Sequence, residues 1–558
     1  MHTYKRFKDP IYGYLDIPIR YVNEIIDTST FQRLRRIIQT SYSVLYSSSV
    51  HNRFIHSMGV YHLGQIASTY LVSCLKDKEQ TKDLADWDKV KEVFDLACLL
   101  HDVGHAPFSH TGEKFFLDNA GRNKYEKIHT ILMEVVGGES FKKDVPNNES
   151  ESAAPHEIMS AIIGIKNFEQ FFPTIELKEL FARCITGYKY SDNYDLHSIF
   201  NCFISLLNSK VIDVDKLDYL IRDAYFSGYQ SVNIDYQRLL TSLTIIVKES
   251  IDEKEEEGKR FKLEFCLGYK KHAISIIENV VYAHDAEKKW IQTHPIVLYE
   301  MYILQHIMQM LDKAISTEEQ KLFSLETLSD EGFIFDSIGK IALISDDDIV
   351  FLLKNQALND SLCKEFFSRT ERRHPLWKSA AEYKAYFVMP YGEGGEIMTR
   401  FISSLDETEK YLKKFTDSWV INAEIIKKLE EELVDIEKEY EQATTESKRR
   451  SFSAQKETKK LILAIMKCLQ EYAVSKDCDC DFIILNANEF YSGFNKDEFE
   501  KIQIEFIDKH YEFKDVVSKL SSDKTKVDKF FYLFYKNNKK LKKEELCQKL
   551  YSSVMSIH

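Results

Sequence analysis

Glycine and proline are scarce, at 19 and 9 among 558 residues. That is roughly half of average usage, and it points to long helices with few tight turns. No apolar run approaches the ~18 residues that a membrane span needs. The opening Met1-His2-Thr3-Tyr4-Lys5-Arg6-Phe7 lacks the apolar stretch of a signal peptide. Both absences lead to the expectation of a cytoplasmic protein with no membrane partner. No paired-cysteine framework is present either. The ten cysteines are scattered, several inside apolar runs (Cys98, Cys202, Cys266), and Cys478 and Cys480 are not at CxxC spacing. They read as reduced thiols, not as disulfides or a zinc framework. Positive charge is also in deficit: 75 Lys and Arg stand against 88 Asp and Glu, a net −13. Such a chain is a poor candidate for bulk nucleic-acid binding but accepts small phosphates where basic residues gather locally. The basic runs at Lys448-Arg449-Arg450 and around Lys536, Lys539, Lys540, Lys542 and Lys543 read as a solvated helical face and a solubilising tail.

What is present describes a folded, mainly α protein: 44% hydrophobic and 29% charged residues. Helical periodicity runs through 59–76, 88–105, 155–164, 170–186, 196–226 and 270–315. A hairpin is expected over 245–268, with an acidic turn at Asp252–Gly258. Residues 417–442 place Ile425, Leu429, Leu433, Ile436 and Tyr440 at three-four spacing, a long packed helix or short coiled-coil arm. Phe482-Ile483-Ile484-Leu485, the run from Lys501 to Phe506 and the run from Phe530 to Tyr535 read as strands. The expected organisation is a helical catalytic core with a small hairpin (1–320), a helical extension (321–475) and a small α/β C-terminal appendage (476–558).

Two segments carry chemistry. One is His51-Asn52-Arg53-Phe54-Ile55-His56; the other runs Leu100-His101-Asp102-Val103-Gly104-His105 and on to His110. A divalent cation favours neutral imidazole and carboxylate together. A lone His-Asp pair reads as satisfied polar packing at a helix end, but His56 upstream and an acidic helix downstream turn the reading to a metal site. On that helix Asp215, Tyr219 and Arg222 or Asp223 share one face. Bare carboxylates beside Leu217, Leu220 and Ile221 are costly unless a cation answers them. Asp213 and Asp218 read as exposed, salt-bridged positions.

These segments resemble the HD-domain deoxynucleoside triphosphate triphosphohydrolases, in the branch of the SAM-and-HD-domain enzyme but opening directly on the catalytic core. The similarity runs from about Tyr4 to Arg238, and more weakly through about 300 and near 481–506. Phe7-Lys8-Asp9-Pro10-Ile11-Tyr12-Gly13, with Ile26-Asp27-Thr28 and Phe31-Gln32-Arg33-Leu34-Arg35, is its most specific part. The resemblance implies an HD-domain helical core. It implies His56, His101, Asp102 and Asp215 as ligands of a divalent metal, with iron, manganese, magnesium and zinc all compatible. His105, Glu113, His110 and His156 match the histidine–carboxylate group beside the scissile bond. Arg53 and Lys216 match phosphate-holding positions, and Gln39, Tyr219 and Asp223 positions around the deoxyribose. Lys5, Asp27, Gln32 and Arg35 match an activating nucleotide site at a subunit interface, and Arg238 and Lys270 its neighbour. Thr40 stands where the family has a leucine that helps exclude ribonucleotides, and Gly268 where it has an activator-site arginine. The base-side segment, Tyr282 to His294, aligns only with a shift.

The implied reaction releases deoxynucleoside and intact triphosphate, with His105 as the proton donor and Glu113 or His156 fixing its protonation. Deoxynucleotides as substrate and activator, a homo-oligomer (tetramer or dimer), and a role in nucleotide-pool control or antiphage defence complete the expectation. The competing classes are another HD phosphohydrolase acting on a cyclic dinucleotide or alarmone, a single-strand nuclease that the −13 charge disfavours, and a nucleotide-sensing assembly protein.

Overall fold

The computed structural model describes the chain except residues 1–2, 122–123, 147–151, 193, 230–232, 252–260, 356–359, 371, 388, 390–395, 416–418, 489–498, 508, 518–528, 537–539 and 558. The expected acidic turn at Asp252–Gly258 and Lys539 lie outside the described residues. The fold is mainly helical with small sheets, as the composition predicts. The residues gather into two units that interleave along the sequence. One comprises Met1–Lys288, Ile307–Ala357 and Ser492–Asp523; the other comprises Lys289–His306, Leu358–Tyr491 and Lys524–His558.

The first unit is built on the helix Arg53–Asp77. Asn52 caps it by accepting the Ile55 N–H. Two glycines let other helices approach its axis closely. A Cβ on Gly64 would lie 2.5 Å from Cys98 Sγ of the helix Trp87–Leu100. One on Gly59 would lie 2.0 Å from Asp218 Oδ1 of the helix Val214–Ser227. Glycine thus costs some helix propensity here and gains packed contact on two sides. The helix Trp87–Leu100 is buried along most of its length and stops at His101. Gly104, just beyond, lies against the helix Pro155–Asn167; a Cβ there would sit 2.4 Å from the Met159–Ser160 backbone.

The helical stretch expected over 196–226 is two helices, Asp195–Leu207 and Val214–Ser227. Asp213 caps the second, its carboxylate accepting the Lys216 N–H at 2.7 Å, which places Asp215 in the first turn. The expected hairpin is Leu243–Ile251 paired with Phe261–Lys270. The stretch expected as helix over 270–315 divides into Ile274–Glu287, a wider-wound segment Lys288–Gln292, and Pro295–Ile315.

The strand expected near 501–506 is Gln503–Glu505, and its partner is the hairpin: it runs parallel to Phe261–Lys270 and carries His510–Glu512 on its other edge. Gly268 makes this possible, because a Cβ there would lie 3.0 Å from Gln503 O. In the second unit Lys529–Lys536 is the middle strand between Phe482–Asn488 and Arg373–Pro375. The amphipathic stretch is the helix Ala423–Gln442, which buries Ile425, Leu429 and Ile436. It pairs with Glu446–Ser475 through Lys459–Glu432 (2.7 Å) and Lys467–Glu430 (2.6 Å).

The close approach at Gly59 gives the first test. Gly59→Ala forces a methyl group into the Asp218 carboxylate and is expected to cost ~1–3 kcal/mol of stability. Thermal melting would show a lowered midpoint; a midpoint equal to that of the parent would contradict this packing.

Candidate metal centre and the histidine group beside it

Four side chains from three segments meet at the centre of the first unit. His56 comes from the second turn of Arg53–Asp77, His101 and Asp102 from the end of Trp87–Leu100, and Asp215 from the first turn of Val214–Ser227. His56 Nε2 lies 2.9 Å from Asp215 Oδ1, 3.3 Å from His101 Nε2 and 3.6 Å from Asp102 Oδ2. His101 Nε2 lies 3.5 Å from both Asp102 Oδ1 and Asp215 Oδ1. Donors held about 2.1 Å from one ion are about 3.0–3.4 Å apart in octahedral or tetrahedral arrangements. The donor atoms of His56, His101 and Asp215, 2.9–3.5 Å apart, therefore fit a single first-row divalent cation, while Asp102 faces His56 and His101 through different oxygens and its Oδ2 also takes Arg53.

The outer ring nitrogens hold the imidazoles in place. His101 Nδ1 meets Cys98 O at 2.9 Å, and His56 Nδ1 meets Asp218 Oδ2 at 2.7 Å. Both contacts turn Nε2 toward the centre, as a metal ligand requires. Asp218 corrects the sequence reading, as does Asp213. Both were expected on an exposed helix face, yet Asp218 is 0% and Asp213 2% exposed. Asp218 also takes Arg222 at 2.8 Å and the Tyr12 hydroxyl at 2.7 Å. Arg222 reaches on to Asp9, so it leaves the face shared by Asp215, Tyr219 and Asp223.

The charges follow from this geometry. Burial opposes charging His56, but hydrogen bonds to Asp215 and Asp218 outweigh it and raise its pKa to about 9. Burial also opposes the Asp102 carboxylate, yet Arg53, His101 and His56 hold it down to about 2. Asp215 is held well below the usual carboxylate range against its burial by the two imidazoles. Asp215 is also one-third exposed, which leaves the centre accessible on that side.

A second group lies alongside. Glu113 bridges His110 Nδ1 and His156 Nδ1, the latter at 3.0 Å. The His105 ring stacks on His156 with centroids 4.4 Å apart. Against burial, Glu113 raises His156 to about 9, and the two histidines hold Glu113 far below its usual range. His105 is fully buried; burial and then Arg53 push its pKa well down, and among the described residues neither ring nitrogen has a hydrogen-bond partner. No hydrogen bond among them joins Glu113 to His105. Helical periodicity was expected to run on to 105, but the helix ends at Leu100 and the chain turns back through left-handed Phe108 and Ser109. That turn aims His110 rather than His105 at Glu113. The His110 side chain is 62% exposed.

The backbone of this turn is anchored from behind. Arg33 donates to His105 O at 2.6 Å and to Ile344 O at 2.7 Å, and Asp346 accepts the Phe108 N–H at 2.6 Å and the Ile38 N–H at 2.8 Å. Burial pushes the Asp346 carboxyl up to about 7 despite those donors.

The positions expected to hold phosphates and sugar surround the same centre. Arg53 bonds Asp102 Oδ2 (2.9 Å), Ser109 Oγ (2.9 Å) and Gln39 O (3.3 Å). Among the described residues the buried Gln39 side-chain oxygen has no hydrogen-bond partner. Lys216 Nζ sits between Asp213 Oδ2 (2.7 Å) and Ser209 O (2.8 Å). Burial and then Glu287 push the Tyr219 hydroxyl pKa well up. Asp223 is bonded at 2.7 Å to His51, to which the sequence reading assigned no role.

Of the positions expected at activator sites, four gather at the surface. Lys5 lies 3.9 Å from Asp27 with both about half exposed, and Arg35 donates to Gln32 at 2.9 Å. Burial lowers the Arg35 pKa, and the Asp27 charge opposes that shift. Arg238 lies on Tyr236–Leu240 and Lys270 ends its strand; among the described residues no hydrogen bond or ion pair joins either to that cluster.

Residues 53–163 match the HD domain family. An uncharacterized protein of Mycoplasma genitalium, MG461, is 30% identical over 243 residues, 43% of this chain and 48% of that protein. The Gallus gallus protein named deoxynucleoside triphosphate triphosphohydrolase SAMHD1 is 34% identical over 245 residues, 42% of this chain and 36% of that protein. The chain thus spans about half or less of these relatives. A crystal structure of a hypothetical protein from Aquifex aeolicus matches at TM-score 0.51 and 18% identity, covering 99% of this chain and 100% of that one, which shows a shared fold alone. The resemblance read from the sequence therefore stands: the chain carries an HD domain and is similar to SAMHD1-type triphosphohydrolases. No helix among the described residues is long and apolar enough to cross a membrane.

Two predictions follow from the charges. A cation must displace the proton on His56. Raised from 6.5 to about 9, that group stabilises the metal-free fold fully below its ordinary value and loses the contribution as pH rises through about 9. Manganese affinity is therefore expected to climb between pH 6.5 and 9 with proton release, measured by calorimetry in buffers of different ionisation enthalpy; pH-independent binding would contradict the arrangement. Asp218→Asn, which leaves every ligand in place, is expected to weaken manganese binding ~10–100-fold. Unchanged affinity would exclude Asp218 as the positioning residue of His56.

Proposed function

We propose that this protein is a metal-dependent triphosphohydrolase that converts deoxynucleoside triphosphates to deoxynucleoside and inorganic triphosphate. The observation that carries the reading is one site holding both a His₂Asp₂ cage and a carboxylate-linked histidine pair, with Arg53 and Lys216 beside them. Similarity to enzymes named for this reaction supports it.

His56, His101, Asp102 and Asp215 would hold the cation, which when bound supplies Lewis-acid polarisation of a phosphoryl oxygen and acidifies water. Iron, manganese, magnesium and zinc all suit this donor set. Water adds to the α-phosphorus, and the bond from phosphorus to the 5′-oxygen breaks. The leaving oxygen takes a proton from His110, the exposed member of the pair held by Glu113. Neutral His105 stacks on protonated His156, so the two rings meet without charge repulsion behind His110. Arg53 serves the phosphates through a planar guanidinium already fixed by Asp102 and Ser109, while Lys216 acts as a point charge. Gln39, Tyr219 and Asp223 form the sugar side, with Thr40 admitting more than a leucine would.

The surface formed by Lys5, Asp27, Gln32 and Arg35 takes an activating nucleotide at an interface between copies of the chain, with Arg238 and Lys270 contributing to the neighbouring site. The assembly is a tetramer or dimer, in the cytoplasm, serving nucleotide-pool control or antiphage defence.

The test is a product assay with the four deoxynucleoside triphosphates, singly and mixed, with magnesium or manganese and anion-exchange separation. Deoxynucleoside and intact triphosphate are expected, with turnover abolished in Asp102→Ala and lowered ~10²–10⁴-fold in His110→Ala. Pyrophosphate or a phosphomonoester as product would replace this reading with that of another HD phosphohydrolase.

A further inference from the structure

Beside the metal centre the chain on either side of the loop 41–50 pairs with itself. Ile38 and Asn52 form an isolated antiparallel bridge, in which the Gln39 N–H donates to His51 O and the Arg53 N–H to Ile37 O, each at 3.0 Å. His51 thus lies opposite Gln39 and two residues before Arg53. Its imidazole meets the helix Val214–Ser227, where Nε2 lies 2.7 Å from Asp223 Oδ1. An ionised carboxylate only accepts, so Nε2 is the donor of this bond. The ring also stacks on Phe226, three residues further along that helix, with centroids 4.8 Å and planes 17° apart. The side chain of His51 is 0% exposed and that of Asp223 2%.

His51 therefore holds two residues of the sugar side at once, Gln39 through its backbone and Asp223 through its ring. Each keeps an acceptor open. Among the described residues the Gln39 side-chain oxygen has no hydrogen-bond partner, and Asp223 accepts no hydrogen bond but that of His51. A buried acceptor left open costs free energy, which a donor on a ligand removes. A deoxyribose whose 5′-oxygen carries phosphate has one hydroxyl left to donate, the 3′-hydroxyl. Once one oxygen of Asp223 is bonded to a ring that stacking keeps in place, the direction of the other oxygen is set as well.

We propose that His51 is the positioning residue of the sugar side: it orients Asp223, and with it Gln39, to accept the 3′-hydroxyl, and so sets the preference for nucleotides that carry this group. The inference rests on the reaction proposed above. The same short segment fixes Arg53, which Asp102 and Ser109 hold at 2.9 Å each, so one backbone bridge places a phosphate contact and the sugar contacts in a common frame. Withdrawing the Nε2 donor leaves the Asp223 carboxylate free to turn. The loss then falls on nucleotides with the 3′-hydroxyl and spares those without it.

The experiment is calorimetric titration of the manganese-loaded, full-length protein with α,β-methylene analogues of the four deoxynucleoside triphosphates and with their 2′,3′-dideoxy counterparts. The parent is expected to favour the 3′-hydroxyl ~10-fold or more, as a hydrogen bond to a charged group does. Two variants withdraw the donor by opposite steric routes: His51→Phe keeps the stacking ring, and the smaller His51→Asn ends short of the Nε2 position. In both the preference should fall to within about twofold, through loss of deoxynucleotide affinity alone. His51→Gln, whose amide nitrogen reaches the Nε2 position, should restore most of it. Manganese affinity equal to that of the parent shows that a variant keeps its fold. A parent that binds both series alike, or neither, would overturn the proposal. So would a preference kept in the Phe and Asn variants, or an equal loss for both series, which would leave His51 a packing residue. Binding is read without turnover, so a failure of the proposed reaction shows in the product assay alone.

Discussion

Three carboxylates, Asp102 and Asp218 fully buried and Asp215 one-third exposed, surround the imidazole of His56, and the need to neutralise them organises the first unit. An unpaired buried charge costs several kcal/mol, so each must be answered. Arg53 answers Asp102 and Arg222 answers Asp218, while His56 lies between Asp215 and Asp218. Those pairs tie together the helices Arg53–Asp77 and Val214–Ser227. Through Asp9 and Tyr12 they also reach the turn of the N-terminal hairpin, Tyr4–Asp9 with Gly13–Pro18. Gly59 provides the space for this network, since any side chain there would displace Asp218. The site and the core are therefore one electrostatic arrangement.

The histidines beside it divide by environment. His105 and His156 stack face to face, yet one is driven neutral and the other charged. The main difference is Glu113, which reaches and raises His156, whereas Arg53 adds to burial in lowering His105. Pairs of titratable groups driven apart in this way are how acid and base roles become separated at one pH.

Much of this was legible in the sequence. His56, the His101-Asp102 pair and Asp215 stand out because imidazole and carboxylate at such spacings have few other uses. Asp218 did not, since an aspartate four residues before an arginine looks the same on a solvated helix; its burial depends on the helix crossing at Gly59. A glycine three residues after a histidine within the helix was the available signal. Local spacing does not reveal that Phe108 and Ser109 turn left-handed, a conformation held by Asp346 from far along the chain, or that His110 then meets Glu113. Likewise the strand pattern near 503 was readable, but its partner was not, because strand pairing is non-local. The gap left by Gly268 was recognised only as a missing arginine.

That late strand has a consequence for how the protein comes into being. Gln503–Glu505 completes a sheet whose hairpin was synthesised more than two hundred residues earlier. Until that segment leaves the ribosome, the strand Phe261–Lys270 has an open hydrogen-bonding edge, a template for pairing with another chain. The intervening sequence belongs largely to the second unit. A translating chain therefore completes the second unit's helical arm while the first still lacks a strand, and the nascent protein is most exposed to aggregation during that interval.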